Sequence, residues 1–408
     1  MRAYERLLNY VKVYTQSAEG TGKSPSTDCQ WDLARQLVEE LKALGLQDVA
    51  LSEFGVVTAV LPATAGCEAA PALGFLAHMD TAPDFSGEHV TPVLHENYDG
   101  GDIALPRDGR VIRVADFPGL TAWKGRTVIT ADGSTLLGAD DKAGIAEIMT
   151  LCEDLIVSGK PHGKVCVAFT PDEEIGEGPD HFDVPAFGAK YAYTVDGDRE
   201  GAIEYENFNA ASATVEITGV SVHPGSAKGT MENALLIAME LAGKLPPEEI
   251  PARTEGYEGF FHLHEIEGGV AAARMYYLIR EHDKDRFAKR KELLEKVTAE
   301  VQAAHPTAQL HLTIKDSYYN MSSQLKECMH LVENANKAAR MAGVEPVTNP
   351  IRGGTDGARL SFMGLPCPNL GTGGCNFHGP YECISVEGMD AVVAILRNIV
   401  ALYADVRE

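Results

Sequence analysis

Short apolar runs that alternate with amphipathic helical patterns constrain the fold of this chain most. The runs are five or six residues long and bounded by turn residues, at 56–61, 72–77, 165–169 and 191–195. One apolar helical face lies between the second and third runs and is formed by Ile145, Ile148, Met149, Cys152, Leu155 and Ile156. Short buried strands that alternate with helices predict an α/β domain with a mainly parallel sheet.

A second pattern occupies about residues 210–314. An alternating run at Ala213, Val215 and Ile217 precedes a helical pattern, two further strand-like runs, a charged helical pattern and a last apolar run. The order βαββαβ is that of the ferredoxin-like unit. We therefore predict one domain built from residues 1–207 and 318–408, interrupted by an inserted domain of residues 208–317.

The charge of the chain excludes some classes of partner. Among 408 residues, 35 Lys and Arg stand against 59 Asp and Glu, which gives a net charge of −24. Such a charge repels nucleic acid and anionic membranes. The chain shows no apolar stretch of membrane-spanning length and no signal-peptide pattern at its start. These features predict a cytoplasmic protein.

The eight cysteines include no CxxC pair and read as reduced thiols. Cys375, His378 and Cys383 lie close enough in sequence to suggest a structural zinc site. The segment offers only three ligands, however, and structural zinc sites have four. Free thiols are the favoured interpretation.

Candidate metal ligands and acid or base groups follow the apolar runs, where the strand ends of an α/β sheet open into a ligand crevice. His78 and Asp80 follow the second run, and residues two apart in an extended segment face the same side, so Asp80 can orient His78. A hydrogen-bonded histidine at a strand end is the alternative for His78. Asp140 and Asp141 open a helix, where either aspartate could be a cap. For Asp140 a second role is open, because a carboxylate has two oxygens and can bridge two cations. A helix cap would not explain that role.

Three consecutive carboxylates, Asp172, Glu173 and Glu174, follow the third run. They could form a solvated turn, or one glutamate could bind metal while its neighbour acts as a general base. Asp196 ends the fourth run, and His378 lies in a Gly-rich loop. Two histidines and three carboxylates at separate positions suit two divalent ions. Oxygen and imidazole ligands favour zinc, with manganese or cobalt as possible substitutes.

Five segments together resemble the di-zinc family of aminoacylases, dipeptidases and carboxypeptidases. They are His-Met-Asp at 78–80, Gly-Ala-Asp-Asp-Lys at 138–142, Asp-Glu-Glu-Ile-Gly at 172–176, His-Pro-Gly-Ser-Ala-Lys at 223–228 and Arg-Gly-Gly-Thr-Asp at 352–356. The resemblance covers nearly the whole chain. It is greatest to the members that release the N-terminal residue of tripeptides, which share a long stretch between the first two segments.

The resemblance implies a role for each matching residue. His78 and Asp196 would bind one zinc, Glu174 and His378 the other, and Asp140 would bridge both. Glu173 would be the general base and Asp80 would orient His78. The fold implied is a zinc-peptidase catalytic domain with an inserted βαββαβ domain.

Three further residues are candidates for binding the substrate or the transition state. In the family, the residue corresponding to His223 helps to stabilise the oxyanion and often reaches the site from a partner subunit, which implies a homodimer formed through the inserted domain. Arg280 and Arg352 could bind the C-terminal carboxylate of a small peptide, or they could simply be solvent-exposed arginines.

Two kinds of alternative function remain open at this point, another reaction of the same family and a role without catalysis. Fold and metal ligands do not separate a tripeptide aminopeptidase from a dipeptidase, a carboxypeptidase or an N-acyl amino acid deacylase. A metal-binding scaffold without activity is the alternative of another class. The presence of Glu173, which is not needed to hold metal, argues against a scaffold.

Overall fold

The computed structural model describes residues 1–406 and divides the chain into two compact units. The first unit contains Met1–Tyr205, Ser323–Asn349 and the chain from Thr355 onward. The second contains Glu206–Ser322 and Pro350–Gly354. The short segment Pro350–Gly354 joins the second unit because Ile351 forms a β-bridge with Asn207.

The helices within residues 1–406 are numbered in chain order. They are α1 (Ala3–Tyr10), α2 (Gln30–Leu44), α3 (Ala139–Ser158), α4 (Val184–Phe187), α5 (Ala234–Lys244), α6 (Lys284–Ala304), α7 (Ser322–Leu325), α8 (His330–Met341), α9 (Asp356–Phe362) and α10 (Val386–Ala404). None of the helices in this described part of the chain has both the length and the apolarity needed to cross a membrane.

The strands are numbered in the same way. They are β1 (Gln47–Leu51), β2 (Val57–Leu61), β3 (Leu73–His78), β4 (Val93–His95), β5 (Ile103–Ala104), β6 (Val111–Ile112), β7 (Val128–Thr130), β8 (Val165–Thr170), β9 (Tyr191–Gly197), β10 (Ile203–Glu204), β11 (Asn209–Thr218), β12 (Phe260–Gly268), β13 (Ala272–Glu281), β14 (Gln309–Tyr318), β15 (Asn369–Gly371), β16 (Gly374–Cys375) and β17 (Cys383–Ser385).

The first unit is built on a seven-stranded sheet of order β1-β2-β8-β3-β9-β15-β10. The four central strands, β8, β3, β9 and β15, are mutually parallel, and the outer strands pair antiparallel. All residues of β3 and β8 are buried, as expected for parallel strands covered on both faces. The prediction of an α/β fold with a mainly parallel sheet is therefore confirmed, although the complete sheet is mixed.

Helix α3 crosses the sheet and forms the centre of the helical layer. It contacts β3 and β9, and α1 and α10 pack against it. Most of its side chains are buried, which agrees with the apolar face found in the sequence. A second cluster joins two short helices to the same sheet. Leu360 of α9 and Phe187 of α4 pack with the strand residues Leu76, Ala168 and Ala192.

The first unit also carries two small sheets that the sequence analysis did not predict. One has the order β16-β17-β7-β4, and the other pairs β5 with β6. Their strands are two or three residues long. Runs this short show no measurable periodicity, so the long stretch between the first two motifs gave no strand pattern.

The second unit has the order β11, α5, β12, β13, α6, β14 along the chain. Its four strands form an antiparallel sheet of order β12-β13-β11-β14, which is the ferredoxin-like arrangement. Apolar residues of α5 and α6 pack on one side of this sheet, for example Ile237 and Leu294 on Val215 and Met275.

Candidate metal centre

His78 is the last residue of β3 and is almost completely buried, with 2% of its side chain exposed. Its Nδ1 lies 3.0 Å from the backbone carbonyl oxygen of Asp80 and 3.3 Å from a carboxylate oxygen of the same residue. Both partners are acceptors, so Nδ1 carries a proton, and Nε2 is the ring nitrogen that faces the interior of the site.

The side chain of Asp140 lies between the two candidate histidine ligands. Its Oδ1 is 3.0 Å from Nε2 of His78, and its Oδ2 is 3.2 Å from Nε2 of His378. Asp196 approaches Nε2 of His78 at 3.3 Å, and Glu174 approaches Nε2 of His378 at 3.0 Å. The five side chains therefore form two groups that share Asp140, each with one imidazole and one further carboxylate.

Asp80 links the first group to the loop that follows β8. Its carboxylate is fully buried and accepts the backbone N–H groups of Glu173 at 3.0 Å and Glu174 at 3.2 Å. These bonds fix the backbone of two adjacent glutamates relative to His78. The sequence predicted that Asp80 orients His78 but did not predict its bonds to this loop.

Asp172 anchors the same loop from the other side, although the sequence analysis assigned it no role. It adopts a positive φ of 60° and is buried. Its carboxylate accepts the Ser26 backbone N–H at 2.7 Å, the Ser26 hydroxyl at 2.5 Å and the Gln30 amide at 2.6 Å. Hydrogen bonds therefore hold three consecutive residues, Asp172 by its side chain and Glu173 and Glu174 by their backbone N–H groups.

Asp141 has the geometry of a helix cap, one of the two readings left open for the pair. Its Oδ1 accepts the backbone N–H of Gly144 at 3.1 Å, and its Oδ2 accepts the backbone N–H of His78 at 3.1 Å. Its carboxylate is also close enough to His78 and Asp196 for the three to form a possible metal-binding group. The bonds to two backbone N–H groups occupy one lone pair on each of its oxygens.

The electrostatics of the site show an excess of negative charge. Burial raises the pKa of Glu174 to about 7 and that of Asp196 to about 6. Hydrogen bonds to Asp140 and Glu174 raise the pKa of His378 to about 11. Burial lowers the pKa of His78, but the carboxylates of Asp196 and Asp140 outweigh it and raise the value well above 6.5. Each of these groups therefore tends to retain a proton, which leaves the two carboxyls neutral and the two imidazoles positively charged.

A divalent cation fits this donor set. The side chains are two imidazoles and three carboxylates without a thiolate. The ligand atoms of His78, Asp140 and Glu174 lie close enough together to hold one ion, and so do those of His78, Asp141 and Asp196. In addition, Oε1 of Glu174 is buried and has no hydrogen-bond partner among the described residues. A buried carboxylate oxygen without a partner is costly unless a cation or water satisfies it.

The general-base candidate Glu173 lies beside the ligand residue Glu174 and is half-buried. Burial and then the charge of Asp196 raise the pKa of its carboxyl well above 4.5. A carboxyl group with a raised pKa is suited to accept a proton near neutral pH.

His223, Arg280 and Arg352 belong to the second unit. His223 is exposed, and its Nδ1 accepts the backbone N–H of Gly225. Arg280 donates to the carbonyl oxygens of Ala211 and Ile279 and lies over the ring of Tyr318. The roles of these three residues stay predictions.

Arg352 is strongly engaged within the second unit. It donates at 2.9 Å to the carbonyl oxygens of Gly256 and Glu258 and at 2.8 Å to the hydroxyl of Thr254. Its guanidinium also lies over the ring of Phe208. Two of its five N–H groups remain for other acceptors.

All eight cysteines are free thiols. Cys375 and Cys383 pair directly across β16 and β17, with their sulfur atoms 3.5 Å apart. His378, which lies between them in sequence, directs Nε2 to Asp140 and Glu174. Among the described residues, the possible metal-binding groups contain no cysteine.

The sequence matches peptidase family M20/M25/M40 over residues 125–402. A curated relative, peptidase T of Desulfitobacterium hafniense strain Y51, is 54% identical over 403 residues, which cover 98% of each chain.

The fold is similar to those of solved structures of low sequence identity. A tripeptidase of Staphylococcus aureus subsp. aureus Mu50 has a TM-score of 0.79 at 21% identity and covers 99% of this chain and 98% of its own. A dinuclear metal-binding peptidase of family M20 from Bacillus subtilis has a TM-score of 0.66 at 14% identity and covers 99% of both chains. By its sequence match and by its near-full-length relative, this chain belongs to peptidase family M20/M25/M40.

Proposed function

We propose that this protein is an aminopeptidase that depends on two zinc ions per subunit and releases the N-terminal residue of tripeptides. The observation that carries the proposal is the position of Asp140, whose two oxygens face two different imidazoles at 3.0 and 3.2 Å. Manganese or cobalt could substitute for zinc, because both accept imidazole and carboxylate ligands.

His78 and Asp196 would hold one ion, and Glu174 and His378 the other, with Asp140 shared. The ions would lower the pKa of a water molecule and polarise the scissile carbonyl. Glu173 would take the proton of that water and pass it to the leaving amine. Asp80 supports this arrangement because one buried carboxylate contacts the ring of His78 and the backbone of Glu173.

The tripeptide specificity is supported by the relatives. Peptidase T of D. hafniense shares 54% of its residues with this chain, and the tripeptidase of S. aureus shares its fold. Arg280 and Arg352 would bind the C-terminal carboxylate of the substrate. His223 would stabilise the oxyanion from a partner subunit in a homodimer formed through the inserted unit. A reducing cytoplasm suits the eight free thiols.

A panel of matched peptides tests the proposal. Metal-loaded protein is incubated with di-, tri- and tetrapeptides of related sequence, free and N-acetylated, and the products are identified by mass. We expect release of the N-terminal residue, a preference for three residues and no cleavage after acetylation. Release of the C-terminal residue would indicate a carboxypeptidase, and cleavage of the acetylated compounds would indicate a deacylase.

A further inference from the structure

Glu382 is a fully buried carboxylate that accepts hydrogen bonds from three backbone N–H groups of a segment distant in sequence. It lies four residues after His378, and only 1% of it is exposed. One oxygen accepts the N–H groups of Leu137 at 2.7 Å and Gly138 at 2.8 Å, and the other accepts that of Asp140 at 3.0 Å. No sequence pattern indicated this residue.

The segment that receives Glu382 cannot satisfy its own N–H groups. Gly138 has a φ of +79°, and Asp140 and Asp141 have non-helical dihedral angles although they lie at the start of α3. The backbone here therefore turns several N–H groups outward instead of into a helix. Leu137 and Ala139 are completely buried, so solvent cannot satisfy those N–H groups and they need an internal acceptor.

These contacts bear directly on Asp140. Its backbone N–H is bonded to Glu382, while its side chain extends to His78 on one oxygen and His378 on the other. Glu382 and His378 also belong to the same short segment that precedes β17. One side chain thus joins the segment that holds the shared carboxylate to the segment that holds one of the imidazoles.

We propose that Glu382 is a positioning residue, which sets the position of Asp140 between His78 and His378 and so determines the affinity of the site for both of its metal ions. This inference rests on the proposed two-metal function. Glu382 contacts neither imidazole within hydrogen-bonding distance and acts through the backbone of Asp140. Residues that orient metal ligands typically change metal affinity by about 10- to 100-fold when they are replaced.

Glu382→Gln is the test variant because it keeps the volume of the side chain and leaves one oxygen. That oxygen can accept either the N–H groups of Leu137 and Gly138 or the N–H group of Asp140. The amide nitrogen, which cannot accept a hydrogen bond, then faces the N–H groups that remain. The matched control is Glu281→Gln in the second unit, where a carboxylate of 2% exposure accepts from Arg290 at 2.9 Å. Both variants replace one buried carboxyl group by an amide of the same size.

Zinc affinity is measured by calorimetric titration of metal-stripped protein. Thermal unfolding of each stripped protein gives its stability, and kcat and KM are measured at saturating zinc. We expect Glu382→Gln to bind both zinc ions at least about 10-fold more weakly, and to lower kcat with little change in KM. Glu281→Gln should lose stability while keeping both affinities.

Each other outcome is informative. Wild-type affinities in Glu382→Gln would overturn the positioning role, and so would an equal loss of affinity in Glu281→Gln, because the effect would then be one of general stability. If the wild-type protein itself binds fewer than two zinc ions, the proposed two-metal function fails first. The two failures are therefore distinguishable.

Discussion

The carboxylate of Asp80 accepts the backbone N–H of Glu173 at 3.0 Å while it also lies 3.3 Å from Nδ1 of His78. A predicted metal ligand and the predicted general base are therefore held by the same buried group. In sequence they are separated by 94 positions, from 79 through 172. The arrangement couples the orientation of the imidazole to the position of the base, and the first prediction tests this coupling.

Asp80→Asn should weaken zinc binding by about 10- to 100-fold, because an asparagine has one acceptor oxygen for a ring N–H and two backbone N–H groups. Zinc titration of the stripped variant measures the change. Activity at saturating zinc should also fall, since the backbone of Glu173 loses an acceptor. Wild-type zinc affinity in a folded Asp80→Asn protein would show that Asp80 does not orient His78.

Glu173→Gln should retain both metal ions and reduce kcat by about 100-fold or more, the usual scale for the loss of a general base. The side chain keeps its size and loses only the ability to accept a proton. Metal analysis beside steady-state kinetics separates the two properties. Glu174→Gln is the matched control, and it should lose metal as well as activity. Normal turnover of fully metallated Glu173→Gln protein would remove Glu173 from the mechanism.

His223 should act across a subunit interface. His223→Ala should keep its metal and lose about 100-fold in kcat, the scale of one oxyanion donor. In a mixture with inactive Glu173→Gln chains, a heterodimer contains one site with an intact Glu173 that receives an intact His223 from the partner chain. Activity should therefore return after subunit exchange.

If His223 acts within its own chain, both sites of that heterodimer lack one residue. Exchange demonstrated by mass spectrometry without recovered activity would then contradict the role across the interface.

Glu147 should make the protein less stable as the pH rises. It is completely buried in α3, neither oxygen has a hydrogen-bond partner among the described residues, and burial raises its pKa well above 4.5. Above pH 4.5 the unfolded chain releases this proton while the folded chain retains it, so stability falls until the pH passes the folded pKa. Glu147→Met should remove this dependence.

The expected gain of Glu147→Met at pH 8 is about 1–3 kcal/mol, the cost of a buried polar group without a partner. Thermal unfolding at pH 5 and pH 8 measures it, with the larger gain expected at pH 8. If the stability of Glu147→Met exceeded that of the wild type by the same amount at pH 5 and at pH 8, Glu147 would not be protonated in the folded protein.

Cys375 and Cys383 should form a disulfide when the protein is treated with oxidised glutathione. Their sulfur atoms are 3.5 Å apart in directly paired residues, and Cys375 is the more exposed thiol. Its thiolate attacks the glutathione disulfide and releases one glutathione, and the Cys383 thiolate then displaces the second. Peptide mapping should show the linked pair, which Cys375→Ser must abolish. Glutathione attached to Cys375 without the internal bond would contradict the prediction.

Local patterns in the sequence determined the fold class and the residue types of the site. The backbone geometry of strands and helices fixes the spacing at which side chains share a face. The strand that ends at His78 and the helical face of α3 could therefore be predicted without the structure. Five short motifs carry the resemblance to known peptidases, and the match of residues 125–402 to family M20/M25/M40 agrees with it. The ferredoxin-like order of β11 to β14 followed from the same local patterns.

Only the tertiary structure decided which distant groups meet. Glu382 and Leu137 are 245 positions apart, and Asp172 and Ser26 are 146 apart, so no local periodicity connects them. The very short strands β4 to β7 depend on pairing with other segments rather than on their own composition. Likewise, the two oxygens of Asp140 face different histidines only because β3, α3 and the segment before β17 converge. Side-chain chemistry is local, whereas the geometry that makes a site depends on packing across the whole unit.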